Sequence, residues 1–271
     1  MNKTIILTMA LWAAILTNGV WAQHADIRLS YEDDSIVLRE GIQGFIDGFQ
    51  IYEGTFPISG FSIRFTENPG FAAELIDGDV LLPGDEIEIE LLESSNLNSY
   101  LTFFDPATGG MLPTLASITI DDNGGSNTSD LIVGNLDLAG DNPQFLQTAD
   151  DLGEMHTHIN FTLSAEAQFG AYGMLFRLVS SNPMIADSSP AWLVFNYGMS
   201  PVDFEQSAIP AFMGSELLLG DVNRDGLVNL LDVQPFVDLL TSGGFQAEAD
   251  INQDGAVNLL DVDPMVALLT G

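Results

Sequence analysis

The 271-residue chain has 39 acidic residues against 6 lysines and arginines, for a formal net charge of -33, and it contains no cysteine. A surface this acidic repels nucleic-acid phosphates and anionic membranes, so neither is an expected partner. Without disulfides, stability has to come from a sizeable apolar core or from bound metal ions, and this length allows one or two domains.

Residues 1–22 have the pattern of an export signal. Lys3 supplies a basic start, Ile5 to Leu16 is an apolar run, and Val20-Trp21-Ala22 ends with a small residue where cleavage is expected. The run is shorter than the roughly 20 apolar residues of a spanning helix, and no later stretch is long and apolar enough to cross a membrane. We therefore expect a secreted or cell-surface protein without a membrane span, with the periplasm as an alternative location.

Residues 23–204 have the pattern of a mainly β domain. Glu86 to Leu91 alternates between acidic and apolar side chains, as in a strand with one face in water. Turn residues separate further short apolar runs, which predict strands at 60–65, 116–120, 131–133, 156–163, 171–179 and 191–197. The pattern predicts an antiparallel β-sandwich or a jelly-roll-like domain, and it contains no confident helix.

The β pattern ends near Ser200, and Pro210 and Gly214 interrupt the residues that follow, so a linker is predicted at 205–216. The segment 220–233 then recurs as 249–262, an offset of 29 residues. An internal duplication of this kind predicts a separate module at 217–271.

Each repeat places oxygen-bearing side chains at loop positions one, three, five, nine and twelve. Calcium is a hard cation that binds about 6–8 oxygens, and alternate positions of a tight loop can converge on one ion. Gly226 and Gly255 occupy position six, where the loop reverses. Together with the backbone carbonyl at position seven, the predicted ligands of two calcium ions are Asp221, Asn223, Asp225, Leu227, Asn229 and Asp232, then Asp250, Asn252, Asp254, Ala256, Asn258 and Asp261.

The sequence around the loops distinguishes two kinds of calcium motif. Apolar residues recur at helical spacing only after each loop, whereas Pro210, Gly214 and Gly243-Gly244 interrupt the residues before them. Two loop-plus-helix units with aspartate at position twelve resemble the repeats of a type I dockerin, an α-helical module with EF-hand-like loops. The resemblance implies a cohesin-like or cell-surface protein as the partner.

One feature differs from cellulosomal dockerins, which often carry Ser-Thr before position twelve. Here the two pairs are Leu230-Leu231 and Leu259-Leu260. These doublets resemble the dockerins of secreted proteins from marine, non-cellulosomal bacteria.

The three histidines form a second candidate site. His156 and His158 are two residues apart in the predicted strand 156–163, so their side chains lie on one face, and His24 is a candidate third ligand. Imidazoles in this arrangement bind zinc or copper, with Asp26 and Glu154 as the nearest acidic candidates to complete the site. The alternative is two exposed histidines on a polar strand face.

These features favour a non-catalytic binding protein, a β-sandwich attached through a calcium-stabilised dockerin. The alternative is a carbohydrate-binding or polysaccharide-degrading component carried by the dockerin, with polysaccharide as its ligand. No nucleophile elbow, phosphate loop or zinc-protease motif occurs, so the sequence favours a role other than catalysis without excluding an enzyme.

Overall fold

The computed structural model describes residues 26–39, 50–94, 97–121, 123–215, 219–223, 228–252 and 256–270. The predicted signal at 1–22 and the candidate ligand His24 lie outside these residues. So do three of the predicted calcium ligands, Asp225, Leu227 and Asp254.

Strands dominate the described part of the chain before residue 198. They are β1 (Ile27–Glu32), β2 (Ser35–Arg39), β3 (Gln50–Thr55), β4 (Phe65–Thr66), β5 (Phe71–Ala73), β6 (Glu86–Leu92), β7 (Thr102–Asp105), β8 (Gly110–Leu112), β9 (Ile118–Ile120), β10 (Leu131–Val133), β11 (Leu138–Ala139), β12 (Gln144–Thr148), β13 (Met155–Thr157), β14 (Phe161–Leu163), β15 (Gly170–Ser180) and β16 (Ala191–Tyr197). A short 3-10 turn covers Leu75–Asp77. The predicted mainly β fold is confirmed.

The described strands form three sheets, in the orders β13-β5-β1-β2, β11-β10-β9-β14-β4 and β12-β6-β15-β16-β3, with β7 pairing β15 and β8 pairing β7. All pairings are antiparallel except β1 with β5 and β3 with β16, which are parallel. Apolar residues from all three sheets meet in one core, which includes Leu29, Phe71, Ile118, Phe161, Phe176 and Phe195.

The predicted strands agree with the structure to different degrees. The alternating run at 86–91 is β6, in which Ile87, Ile89 and Leu91 are buried. The predicted strand 60–65 is wrong except at Phe65, which begins β4, because residues 60–64 form a turn in which Phe61 is fully exposed. The predicted strand 156–163 is divided into β13 and β14, which belong to different sheets.

A helical segment occupies most of the predicted linker at 205–216. It comprises α1 (Pro201–Asp203), a π-helical turn (Phe204–Ala208) and α2 (Ile209–Ser215). Phe204, Ala208 and Phe212 are spaced by four residues and pack against the face of β16 that carries Trp192. The described part of the predicted linker is therefore helical, and one face of it covers apolar sheet surface.

The carboxy-terminal part contains α3 (Val233–Ser242), a 3-10 turn (Ala247–Ala249) and α4 (Val262–Thr270). Its core is a separate cluster of Val222, Phe236, Ala249 and Met265. One helix after each loop is what the repeats predicted. No helix among the described residues is both long and apolar enough to cross a membrane.

Candidate functional site

The carboxylate at position twelve organises the first repeat. Asp232 is fully buried immediately before α3, and its two oxygens accept backbone N–H groups from Asn223 at 3.0 Å and Asn229 at 2.8 Å. Positions three, nine and twelve of the loop are thereby brought together. Position one, Asp221, is also buried.

The second repeat has the same geometry. Asp261 is fully buried and accepts the N–H groups of Asn252 at 3.0 Å and Asn258 at 2.9 Å. Asp250, at position one, is buried as well. The described residues of the two repeats therefore make matching hydrogen bonds, whose lengths agree to about 0.1 Å.

Position nine has a second role in each loop. The side-chain oxygen of Asn229 accepts the N–H of Leu231, and that of Asn258 accepts the N–H of Leu260, both at 2.8 Å. The Asn258 amide also donates to the carbonyl of Ala256, the predicted position-seven ligand, at 3.1 Å. Each asparagine thus fixes the turn that leads into the following helix.

The composition of the module bears on how the charge of these buried carboxylates could be balanced. Between residues 219 and 271, Arg224 is the only basic residue in the sequence, and it lies outside the described residues. Burying an ionised carboxylate is costly unless it is paired or coordinates a metal. An all-oxygen set of aspartate, asparagine and backbone carbonyl groups fits calcium, a hard cation.

The leucine doublets lie on the surface. Leu230 is 80% exposed and Leu259 is 81% exposed, while Leu231 and Leu260 are each 66% exposed. Both repeats present the doublet directly before the buried aspartate at position twelve. These leucine side chains are not part of the module core, and exposed apolar groups of this size are typical of surfaces that contact a partner.

The histidine cluster lies at one end of the sheet that contains β1, β5 and β13. Asp26 directly precedes β1, and its carboxylate contacts the Nε2 atom of His156 at 3.0 Å and that of His158 at 3.7 Å. The two Nε2 atoms are 3.3 Å apart. The structure therefore brings together two of the three predicted histidines and one of the two predicted carboxylates.

The other predicted carboxylate lies elsewhere. Glu154 accepts the backbone N–H of Leu75 at 2.8 Å instead of meeting the histidines. Sequence reasoning missed Glu74, whose Oε1 is 3.0 Å from the Nδ1 of His156, and the backbone carbonyl of Glu67, 2.9 Å from the Nδ1 of His158. No sequence signal identified either group, because they are 82 and 91 residues from the histidines they contact.

The strand face around Trp192 bears on sugar binding. Trp192 is fully buried, and its ring centroid is 5.2 Å from that of Phe212. It is the one tryptophan after the predicted signal segment. It cannot serve as an exposed aromatic platform for a carbohydrate.

Comparison with known families identifies the carboxy-terminal module. Residues 219–269 match the model of the dockerin type I domain, which confirms the resemblance expected for residues 217–271. The match does not extend to the β domain. Comparisons with curated proteins and with solved structures find no match.

Proposed function

We propose that this protein is a secreted or cell-surface binding protein, in which a β-sandwich domain is attached to a protein partner through a calcium-loaded dockerin. The observation that carries the proposal is the duplicated loop with a buried aspartate at position twelve, within the segment that matches the dockerin model. The β domain is taken to extend from residue 23 to about residue 215. The boundary moves beyond 204 because Phe212 packs on its sheet.

Two calcium ions per chain follow from the two loops. Asp232 and Asp261 hold positions three and nine of their loops through hydrogen bonds to the backbone. The ion supplies the positive charge that the described part of the module lacks. Because binding free energy becomes folding free energy in such sites, calcium is expected to control the folding of the whole module.

The partner surface is assigned to the two leucine doublets. A dockerin binds a cohesin-type protein, and apolar pairs in place of hydroxyl residues favour a partner with an apolar contact surface. The doublets lie within the loops, directly before position twelve, so calcium binding and presentation of Leu230-Leu231 and Leu259-Leu260 are coupled. This coupling makes attachment dependent on calcium.

The burial of Trp192 favours this interpretation over a carbohydrate-binding module. Because the dockerin is the part that binds the cohesin-type partner, the β domain remains free to face the medium.

The experiment measures binding of the full-length protein to immobilised cohesin domains and to the surface of intact producing cells, in calcium and in chelator. Binding is expected only in calcium. Replacing both doublets with alanine, as Leu230→Ala/Leu231→Ala and Leu259→Ala/Leu260→Ala, should abolish it while calcium binding persists. A matched control is Val202→Ala, an exposed apolar position in the β domain. Binding that is equal in chelator would refute calcium-dependent attachment.

A further inference from the structure

The cluster of Asp26, His156 and His158 brings three hydrogen-bond acceptors to one point. The Nδ1 of His158 faces the carbonyl of Glu67, which can only accept, so this nitrogen carries the proton. The Nδ1 of His156 faces the carboxylate of Glu74, which likewise favours a proton there. Each neutral ring then has a bare lone pair on Nε2.

Two bare nitrogens 3.3 Å apart, with the carboxylate of Asp26 beside them, repel one another unless a cation lies between them. A proton shared with Asp26 can supply that charge, and so can a metal ion. The outward hydrogen bonds on both Nδ1 atoms are those that orient metal-binding histidines and fix Nε2 as the ligand atom.

The spacing of the three groups favours a tetrahedral metal. Two ligands about 2.0–2.1 Å from a metal are about 3.3–3.4 Å apart at a tetrahedral angle, and about 2.9 Å apart at a right angle. The Nε2 atoms are separated by 3.3 Å, and the Asp26 oxygens lie 3.0 and 3.7 Å from them. We propose that Asp26, His156 and His158 bind a zinc ion, with a fourth position that no described residue occupies.

The backbone of Gly70 helps to position the side chains of the cluster. The N–H of Gly70 donates to Asp26 Oδ1 at 3.2 Å and so orients the carboxylate. A Cβ atom at residue 70 would lie 2.7 Å from the ring of His158 and 2.8 Å from Asp26 Oδ1. Position 70 therefore needs glycine for the histidine and the aspartate to occupy these positions.

The site is open on one side. The side chains of His156 and His158 are 49% and 36% exposed, whereas that of Asp26 is 22% exposed. Three protein ligands with a solvent-accessible fourth position are typical of zinc sites that bind an exchangeable water or substrate. The acidic surface of the chain raises the local concentration of cations around this opening.

The test titrates zinc chloride into the full-length protein in saturating calcium, so that the calcium loops are already occupied. One zinc per chain is expected to bind with micromolar or tighter affinity and to raise the melting temperature, because a ligand that binds only the folded state stabilises it. His156→Ala/His158→Ala should lose the site and the thermal shift. Asp26→Asn, which preserves shape, should weaken zinc binding strongly.

Two further variants test the surroundings of the cluster. Glu74→Gln should weaken binding by about 10-fold or more, because it removes a charged partner of a ligand histidine. Glu154→Gln is the matched control and should bind like the wild type, since Glu154 contacts Leu75 instead. Equal zinc binding by the wild type and the double histidine variant would overturn the proposal in favour of the acidic surface. Absence of zinc binding in the folded wild type would assign the cluster to a shared proton.

Discussion

Glu53 provides a quantitative test of how the helical segment packs on the β domain. Glu53 lies in β3 beside Val194 of β16, and burial, reinforced by the nearby carboxylate of Glu205, raises its pKa from 4.5 to about 7. Glu205 belongs to the π-helical turn, so the second cause exists only if the helical segment lies on this sheet. The substitution Glu53→Gln removes the charge and keeps the shape.

The direction in which Glu53 changes the stability of the β domain with pH follows from proton binding. Between about pH 4.5 and 7 the folded state holds a proton on Glu53 that the unfolded state has released, so stability falls as pH rises through this window. Above pH 7 Glu53 is ionised in both the folded and the unfolded state, so the full free-energy cost of burying its charge is present. The difference between 4.5 and 7 corresponds to about 3 kcal/mol, and because Glu53 is only partly buried we discount this for solvent screening to roughly 1–2 kcal/mol.

The assay is urea unfolding of the full-length protein in constant saturating calcium, followed by the fluorescence of Trp192. Glu53→Gln should stabilise the β domain by roughly 1–2 kcal/mol at pH 8 and by almost nothing near pH 4.5. Glu205→Gln should act in the same direction by a smaller amount, and Glu166→Gln, at an exposed position, should have no effect. A gain of the same size at both pH values would refute the reasoning.

Two other predictions concern the calcium-binding module and the packing of the helical segment on the β domain. Residues 217–271 alone should be largely unfolded in chelator and helical in calcium by circular dichroism, binding two ions, with Asp225→Ala removing one ion and Asp254→Ala the other. Unchanged spectra would contradict the calcium-controlled fold. Phe212→Ala should destabilise the β domain by about 3–5 kcal/mol, whereas the exposed Val202→Ala should be near neutral. A loss below about 1 kcal/mol for Phe212→Ala would show that the helical segment is not part of the domain.

The strands that the sequence predicted best are those whose signal is local. Alternation in β6 and the compact apolar runs of β10 and β16 each specify a strand without reference to the rest of the chain. The run at 60–65 has a similar composition, yet Gly60 and Arg64 adopt positive φ angles of 95° and 61°, which belong to turns. Side-chain pattern alone does not report such backbone angles.

In the helical segment the sequence pattern predicted less regular structure than the fold contains. Phe204, Ala208 and Phe212 carry a helical spacing, but Pro210 and Gly214 in the same stretch argued for a connector. The structure accommodates Pro201 at the first helical turn, where Ser200 caps the helix by accepting the N–H of Asp203 at 3.1 Å. Burial against Trp192 then outweighs the poor intrinsic helix propensity of the segment.

The two candidate sites also differ in how far the sequence could predict them. Each calcium loop is contiguous, so position and residue type were sufficient to select its ligands. The histidine cluster joins residues from three distant parts of the chain. The sequence predicted that His156 and His158 share a face, but the contacts of Asp26, Glu74 and Gly70 depend on the pairing of β5 with β1 and β13.

The distribution of arginines implies that the two parts of the chain respond differently to calcium. In the β domain, buried Asp79 is neutralised by Arg28 at 2.6 Å and Arg39 at 2.9 Å, so its charge is balanced within the protein. In the module, Asp232 and Asp261 are equally buried but no described residue around them is basic. Removing calcium should therefore leave the β domain folded and unfold only the module, so that chelator-treated samples show one thermal transition and calcium adds a second, which rises with calcium concentration.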